Sequence, residues 1–130
     1  MLDTLEIPIV QAPLAGGPST PELAAAVAGA GGLGFVAGGY RTAEGLRDAI
    51  ARTRSLTDRP FGVNLFAPTG APADPAAVRA YATLLQPDAD RAGVALGEPR
   101  FDDDAFDAKL DLLTSDRVRA MASRRPSAVR

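Results

Sequence analysis

The chain has 130 residues, with 14 Lys and Arg against 16 Asp and Glu, and it contains neither His nor Cys. This length fits one domain, and the formal net charge of −2 gives no general reason to expect nucleic acid or an anionic membrane as a partner. Without Cys, the sequence has no disulfide, thiolate nucleophile or cysteine metal site. Without His, any chemistry must come from carboxylates, Lys109, tyrosines, hydroxyls, the backbone or a bound cofactor.

The first half of the sequence alternates apolar strands with helices. Short β-branched and apolar runs predict strands over residues 7–11, 33–37 and 61–66. Thr20 and Pro21 predict the start of the first helix, with Ser19-x-x-Glu22 as a capping box and Leu23, Val27 and Ala30 on one face. Thr42 caps the second helix. Strands that are apolar on both faces are typical of a parallel sheet covered by helices, which indicates an α/β fold.

Two further helices follow the third strand. Asp74-Pro75 predicts the start of one, which a polar stretch over residues 87–100 separates from the next. The acidic run at residues 102–104 is predicted to be the solvated first turn of that last helix, because carboxylates favour helix amino termini. It lacks the ligand spacing of a calcium loop, so we assign no metal site.

The carboxyl-terminal segment differs from the rest in charge. Residues 117–130 contain five Arg and no acid, and they have no clear apolar period. This composition predicts two regions, an ordered part over residues 1–116 and a disordered, Arg-rich tail over residues 117–130. The tail lacks the aromatic residues and motifs of a nucleic-acid-binding segment.

No targeting or membrane segment is predicted. The amino terminus is acidic and lacks the basic and apolar regions of a signal peptide. Glycines and prolines repeatedly interrupt the longest stretch of low charge, over residues 11–39, so it does not resemble a bilayer span. The sequence therefore predicts a cytoplasmic protein.

One glycine motif matches the dinucleotide-binding fingerprint only in its letters. Gly29-x-Gly31-x-x-Gly34 closes a predicted helix and precedes a strand, whereas the fingerprint must follow a strand and open a helix. We therefore interpret it as a helix end and a tight turn.

The residues that follow the strands are better candidates for a binding site. In β/α folds the loops at the carboxyl ends of the strands form the site. The glycines of the 12–17 loop let the backbone approach a ligand, although a simple turn explains them equally well. Asn64 interrupts an apolar strand near its end, and its carboxamide could pair with the edge of a planar heterocycle or with backbone. Tyr40 and Arg41 follow the second strand and could reach the same place.

Four segments, in order, resemble one family. They are Pro8-Ile9-Val10-Gln11-Ala12-Pro13-Leu14-Ala15-Gly16-Gly17, Thr20-Pro21-Glu22-Leu23-Ala24, Gly31-Gly32-Leu33-Gly34-Phe35 and Gly62-Val63-Asn64-Leu65-Phe66. Together they are similar to the amino-terminal part of the nitronate monooxygenases, formerly called 2-nitropropane dioxygenases.

The resemblance implies an FMN-dependent (β/α)₈ TIM barrel that oxidises alkyl nitronates with O₂ to a carbonyl compound and nitrite. The flavin supplies the electron chemistry in such enzymes. Their first-strand loop lies against the flavin, and the Asn of the third-strand motif hydrogen-bonds it. The implied cofactor-binding residues here are Ala12, Pro13, Leu14, Ala15, Gly16 and Asn64, with no catalytic residue and no metal ligand assigned.

Beyond this amino-terminal part, the sequence departs from the family. A complete barrel has eight strands and ~250 residues, whereas about three parallel strands are predicted here, as an open partial barrel. The family's catalytic His and the phosphate-binding loops belong to later strands. We therefore expect a truncated, weakly active or inactive chain, as a frameshift or premature stop would produce, and whether it is an enzyme by itself stays open.

Two alternatives also remain open. Another FMN barrel enzyme, an enoyl reductase or an IMP dehydrogenase-like protein, could share the 11–13 loop and Asn64. A non-catalytic half barrel could self-associate by pairing the exposed edges of its sheet.

Overall fold

The computed structural model describes residues 5–68, 70 and 72–115, together with the backbone of residues 119–124. In chain order the elements are α1 (Pro21–Gly29), β1 (Phe35–Ala37), α2 (Ala43–Leu56), β2 (Gly62–Ala67), α3 (Pro75–Ala92), α4 (Phe106–Ser115) and β3 (Arg119–Arg124). They fall into two compact units, one comprising residues 1–69 and 103–130 and the other residues 70–102.

The first unit is built on an open parallel sheet. Its strands lie in the order β1-β2-β3, and both pairs are parallel. Ala37 at the end of β1 pairs with Asn64 in β2. The predicted α/β class is therefore confirmed, as are the second and third predicted strands, within one to two residues at each end.

The strand β3 corrects one prediction. Residues 119–124 lie within the predicted disordered tail, yet their backbone pairs with the whole of β2, from Gly62–Arg119 to Ala67–Arg124. Strand pairing uses backbone N–H and C=O groups, so a neighbouring strand can order a segment whose composition suggests disorder. The predicted tail is thus wrong over residues 119–124, and the remainder of residues 117–130 lies outside the described residues.

The first predicted strand forms only an isolated parallel bridge between Val10 and Leu33. It is not buried as predicted, because Ile9 is 60% exposed and Val10 40% exposed. The ladder does not continue beyond Leu33, since the N–H of Phe35 donates to the side-chain oxygen of Gln11 at 2.9 Å instead of to a backbone carbonyl. Residues 7–11 are referred to below as the first extended segment.

Helix α1 begins as predicted but packs on a different face. Thr20 is the N-cap and accepts the Leu23 N–H at 3.2 Å, with Pro21 in the first turn. The predicted capping box is wrong, because Ser19 precedes the cap. The buried face consists of Ala24, Ala25 and Ala28, and Leu23 is exposed. Small residues are required there, since a Cβ on Gly34 would lie 2.0 Å from the Ala24 carbonyl oxygen.

The glycine motif at residues 29–34 closes α1 as predicted. The helix ends at Gly29 and Ala30 is its C-cap. Gly31 then adopts a φ of +94° in the turn that leads to β1, a conformation that favours glycine.

The core of the first unit lies between the sheet and helices α1, α2 and α4. Thr42 caps α2 as predicted and accepts the Gly45 N–H at 3.0 Å. The core residues are Ala24, Val36, Leu46, Ala49, Ile50, Val63, Leu65 and Leu113. Val63 and Leu65 alternate along β2 with Asn64, so Asn64 lies on the opposite face of the sheet.

The second unit contains α3. Asp74 caps it and accepts the Ala76 N–H at 3.1 Å. The helix does not stop before Pro87 as predicted but continues to Ala92. A proline removes only one backbone donor from a helix. Side-chain contacts also join residues on both sides of Pro87 and beyond it, from Gln86 to Asp90 and from Arg91 to Asp88. Gly93, at a φ of 66°, ends the helix.

No described helix combines the length and the apolar character needed to cross a membrane.

Candidate functional site

A cavity of about 230 Å³ lies where two loops meet at the carboxyl ends of parallel segments. The first loop (residues 12–19) joins the first extended segment to α1, and the second loop (residues 38–42) joins β1 to α2. The lining residues are Leu14, Gly16, Gly17, Ala37, Gly39, Tyr40 and Arg41. Ligand sites of parallel β/α folds form at this end of the sheet.

The first loop is held by one hydroxyl group. Ser19 is buried, and its Oγ accepts the Leu14 N–H at 2.7 Å and the Gln11 Nε2–H at 2.9 Å. The same hydroxyl donates to the Ala12 carbonyl at 3.4 Å. One donor and two acceptor positions are therefore all in use, which is the full capacity of a serine hydroxyl. Ser19 thus sets the path of the loop.

Two glycines give the first loop its exposed turn. Gly16 and Gly17 have φ values of +84° and +130°, where side chains other than glycine are strained. Among the described residues, apart from the immediate chain neighbours, no atom lies within 4 Å of the position that a Cβ would take at either glycine. The backbone there faces open space, so a ligand in the cavity could approach it closely.

The second loop is held by a buried ion pair from the start of α4. The Lys109 Nζ lies 2.7 Å from an Asp104 carboxylate oxygen, and both side chains are at least 95% buried. Lys109 also donates to the Gly38 carbonyl at 2.9 Å. The other Asp104 oxygen accepts the Tyr40 N–H at 2.8 Å. The two charges therefore fix two backbone groups of the second loop.

This pair corrects the prediction for the acidic run. Asp104 is not in a solvated first turn, because it is 6% exposed and α4 begins two residues later at Phe106. Its backbone has a φ of 60°, which turns the chain before the helix. Asp104 can be buried because the charge of Lys109 compensates its carboxylate. Lys109 is the sole lysine of a chain otherwise rich in Arg.

Tyr40 and Arg41 form the outer wall of the cavity, as their position after β1 suggests. Tyr40 has a φ of 62° and is 71% exposed, and its ring packs edge-on against Phe66 at 5.5 Å. The Arg41 Nε donates to the Ala37 carbonyl at 3.1 Å. Gly39 lies beneath this wall, where a Cβ would meet the Phe66 ring at 2.3 Å.

The structure brings together only part of the predicted site. Leu14 and Gly16 line the cavity, whereas Ala12, Pro13 and Ala15 lie in the same loop without lining it. Asn64 is 4% exposed and pairs in the sheet with Ala37, which does line the cavity. The Asn64 carbonyl accepts the Gly38 N–H at 2.8 Å, so this strand residue also supports the second loop.

Sequence reasoning misses the residues that hold the two loops. It places Ser19 in a helix cap and Asp104 in a solvated turn. An isolated lysine among arginines, five residues after an aspartate and next to apolar positions, is a weak signal of a buried pair. No local pattern indicates that its target is a loop more than 60 residues earlier in the chain.

Several proteins resemble this chain. It is 46% identical to a nitronate monooxygenase of Paraburkholderia phytofirmans over 89 residues. This aligned region covers 68% of this chain and 24% of the relative. It is 51% identical to a nitronate monooxygenase of Pseudomonas aeruginosa over 83 residues. This aligned region covers 64% of this chain and 23% of the relative. The chain thus spans about a quarter of the length of these relatives.

This chain also resembles solved structures. The nitroalkane oxidase of Streptomyces ansochromogenes superposes with a TM-score of 0.76 at 51% identity, over 89% of this chain and 33% of that one. FabK from Thermotoga maritima superposes with a TM-score of 0.50 at 29% identity, over 93% and 35%. The fold is accordingly a partial TIM barrel, open and with parallel strands, as predicted. Because the Nitronate monooxygenase family profile matches residues 1–125, nearly the whole sequence, the chain belongs to the nitronate monooxygenase family.

Proposed function

We propose that residues 1–116 form the amino-terminal, flavin-facing part of an FMN-dependent barrel that oxidises alkyl nitronates with O₂ to a carbonyl compound and nitrite. The observation that carries this proposal is the cavity at the carboxyl ends of the parallel segments, lined by Leu14 and Gly16 of the first loop. Family membership and the likeness to a nitroalkane oxidase support the same chemistry.

The volume of the cavity, about 230 Å³, is below the ~300–1,000 Å³ of typical ligand pockets. It would therefore hold only part of an FMN molecule. The open backbone at Gly16 allows a flat ring to approach. Asn64 pairs in the sheet with Ala37, a lining residue, and its carboxamide is the polar group that we propose to meet the heterocycle. Ala12, Pro13 and Ala15 shape the loop that would carry these contacts.

The role of this part of the protein is to bind and orient. A bound flavin supplies the electron chemistry, while the first loop would support one side of the ring system and Asn64 its polar edge. The general base and the phosphate-binding loops are expected in the later part of the family barrel. We therefore expect the 130-residue chain alone to release little or no nitrite.

An FMN titration of the purified chain, followed by flavin fluorescence, tests the binding role. We expect weak binding, in the micromolar range or above, which Asn64→Ala weakens about tenfold because a lost polar contact leaves its partner unpaired. Gln86→Ala removes a carboxamide from the surface of α3 and should leave the affinity unchanged. Equal affinities for the parent chain and Asn64→Ala would contradict the role of Asn64.

Nitrite release tests the reaction itself. The chain is mixed with FMN, an alkyl nitronate and O₂, and compared with the longer Pseudomonas aeruginosa relative. Turnover by the short chain at the rate of that relative would show that the rest of the barrel is dispensable, against our expectation.

A further inference from the structure

The cavity carries a positive charge that the proposed flavin contacts do not use. Among its described lining residues, Arg41 has the only formal charge, and the others are apolar, glycine or tyrosine. The carboxylate that holds the second loop, Asp104, is compensated by Lys109. A cavity whose lining contributes a guanidinium and no carboxylate favours an anionic ligand.

The guanidinium of Arg41 is oriented by a backbone carbonyl at the end of β1. The Arg41 Nε donates to the Ala37 carbonyl at 3.1 Å, so this hydrogen bond occupies one edge of the planar group. The two terminal nitrogens lie at the opposite end of the group and present parallel N–H donors. Such a fork matches an anion that offers two oxygens in one plane.

The surrounding loop is fixed before any ligand arrives. The Arg41 N–H donates to the Gly38 carbonyl at 3.3 Å, and the same carbonyl accepts from the buried Lys109. The preceding Tyr40 N–H is held by Asp104. A ligand that binds Arg41 therefore has little loop entropy to remove, which favours affinity.

We propose that Arg41 is an anion-recognition residue of this cavity and that its ligand is a small planar monoanion with two oxygen atoms. The C=NO₂⁻ group of an alkyl nitronate has this charge and shape, so the inference extends the proposed function by assigning the residue that recognises the charge of the substrate. The identity of the ligand rests on the proposed function, whereas the binding of an anion to Arg41 does not.

The test is binding to the FMN-free chain, measured from the NMR shifts of the Gly16 and Gly17 amides and the Arg41 Nε–H. The probes are ethyl nitronate, acetate as a stable anion of the same shape, neutral nitroethane, and inorganic phosphate. We expect saturable shifts with ethyl nitronate and acetate and none with nitroethane. Arg41→Gln should weaken binding about tenfold or more, and Arg41→Lys should lose part of it, since lysine keeps the charge but not the fork.

Arg47→Gln is the matched control, because it removes one exposed arginine from α2 outside the cavity. An equal loss of binding in Arg47→Gln and Arg41→Gln, or the absence of shifts with both planar anions, would overturn the proposal. Binding of phosphate alone would also overturn it, since the site would then serve a phosphate group. FMN is absent from this experiment. A failed flavin titration would therefore not change the interpretation of the anion-binding result.

Discussion

The two loops that line the cavity are held in opposite ways. The first loop depends on neutral hydrogen bonds to Ser19, which lies five residues from Leu14 in the chain. The second loop depends on a buried ion pair, in which Lys109 reaches a carbonyl 71 residues away. One wall is therefore organised locally by its own sequence, and the other only after α4 has packed against the sheet.

This difference has a direct energetic consequence. A serine hydroxyl is neutral, and its loss leaves small dipoles unpaired. Removing one partner of a buried ion pair leaves a full charge in a medium of low polarity, which costs far more. The second loop should therefore be the more sensitive of the two to single substitutions.

Lys109→Met should produce the largest effect. The substitution leaves the Asp104 carboxylate buried without its counter-charge, and we expect a loss of ~3–5 kcal/mol in the free energy of unfolding. Urea denaturation measures the loss. Hydrogen exchange of the Tyr40 amide should accelerate, while that of the Leu14 amide should follow only the global change.

The double variant Asp104→Asn, Lys109→Met distinguishes charge from packing. It removes both charges, and an asparagine oxygen can still accept the Tyr40 N–H, so the loss should be clearly smaller than in Lys109→Met. A double variant as unstable as the single one would mean that packing of the lysine stem, and not its charge, holds the second loop.

Ser19→Ala should give the next largest effect and the reverse pattern. It leaves the Leu14 N–H without its acceptor and removes one of the acceptors of the Gln11 amide, which also donates to the Ala12 carbonyl, and we expect a loss of ~1–3 kcal/mol. Exchange of the Leu14 amide should accelerate selectively. Ser55→Ala is the control, because that hydroxyl is exposed and donates to the Arg52 carbonyl of its own helix. A Tyr40 amide as strongly affected as Leu14 would show that the two loops are coupled.

The division between local and distant contacts also decides how much the sequence can predict. The caps at Thr20 and Thr42, the strand around Asn64 and the glycine turn after α1 depend on neighbouring residues, and all are predicted correctly. The burial of Asp104 depends on a distant lysine, and β3 depends on pairing with β2, so neither has a local pattern. Residues 7–11 have the composition of a buried strand but remain largely exposed, because composition does not specify which neighbours cover a segment.

The smallest effect concerns the link between the helices that follow the two loops. Glu22 in α1 and Arg52 in α2 form an exposed ion pair at 3.0 Å. A hydrogen bond from its own backbone, followed by the hydrogen bond and charge of Arg52, holds the pKa of Glu22 below its ordinary value of 4.5. The unfolded chain therefore binds this proton more readily than the folded one does.

It follows that Glu22 contributes stability that is complete above its unfolded pKa and is lost as the pH falls through its lowered folded pKa. Glu22→Gln should remove this contribution, so the stability of the variant should fall less steeply over that acidic range, by a small amount because both side chains are more than half exposed. Urea denaturation of both proteins across the range measures the difference, and Glu44→Gln, in the first turn of α2, is the control. Equal flattening of the profile by Glu22→Gln and Glu44→Gln would contradict a specific contribution of the Glu22–Arg52 pair to the acid dependence of stability.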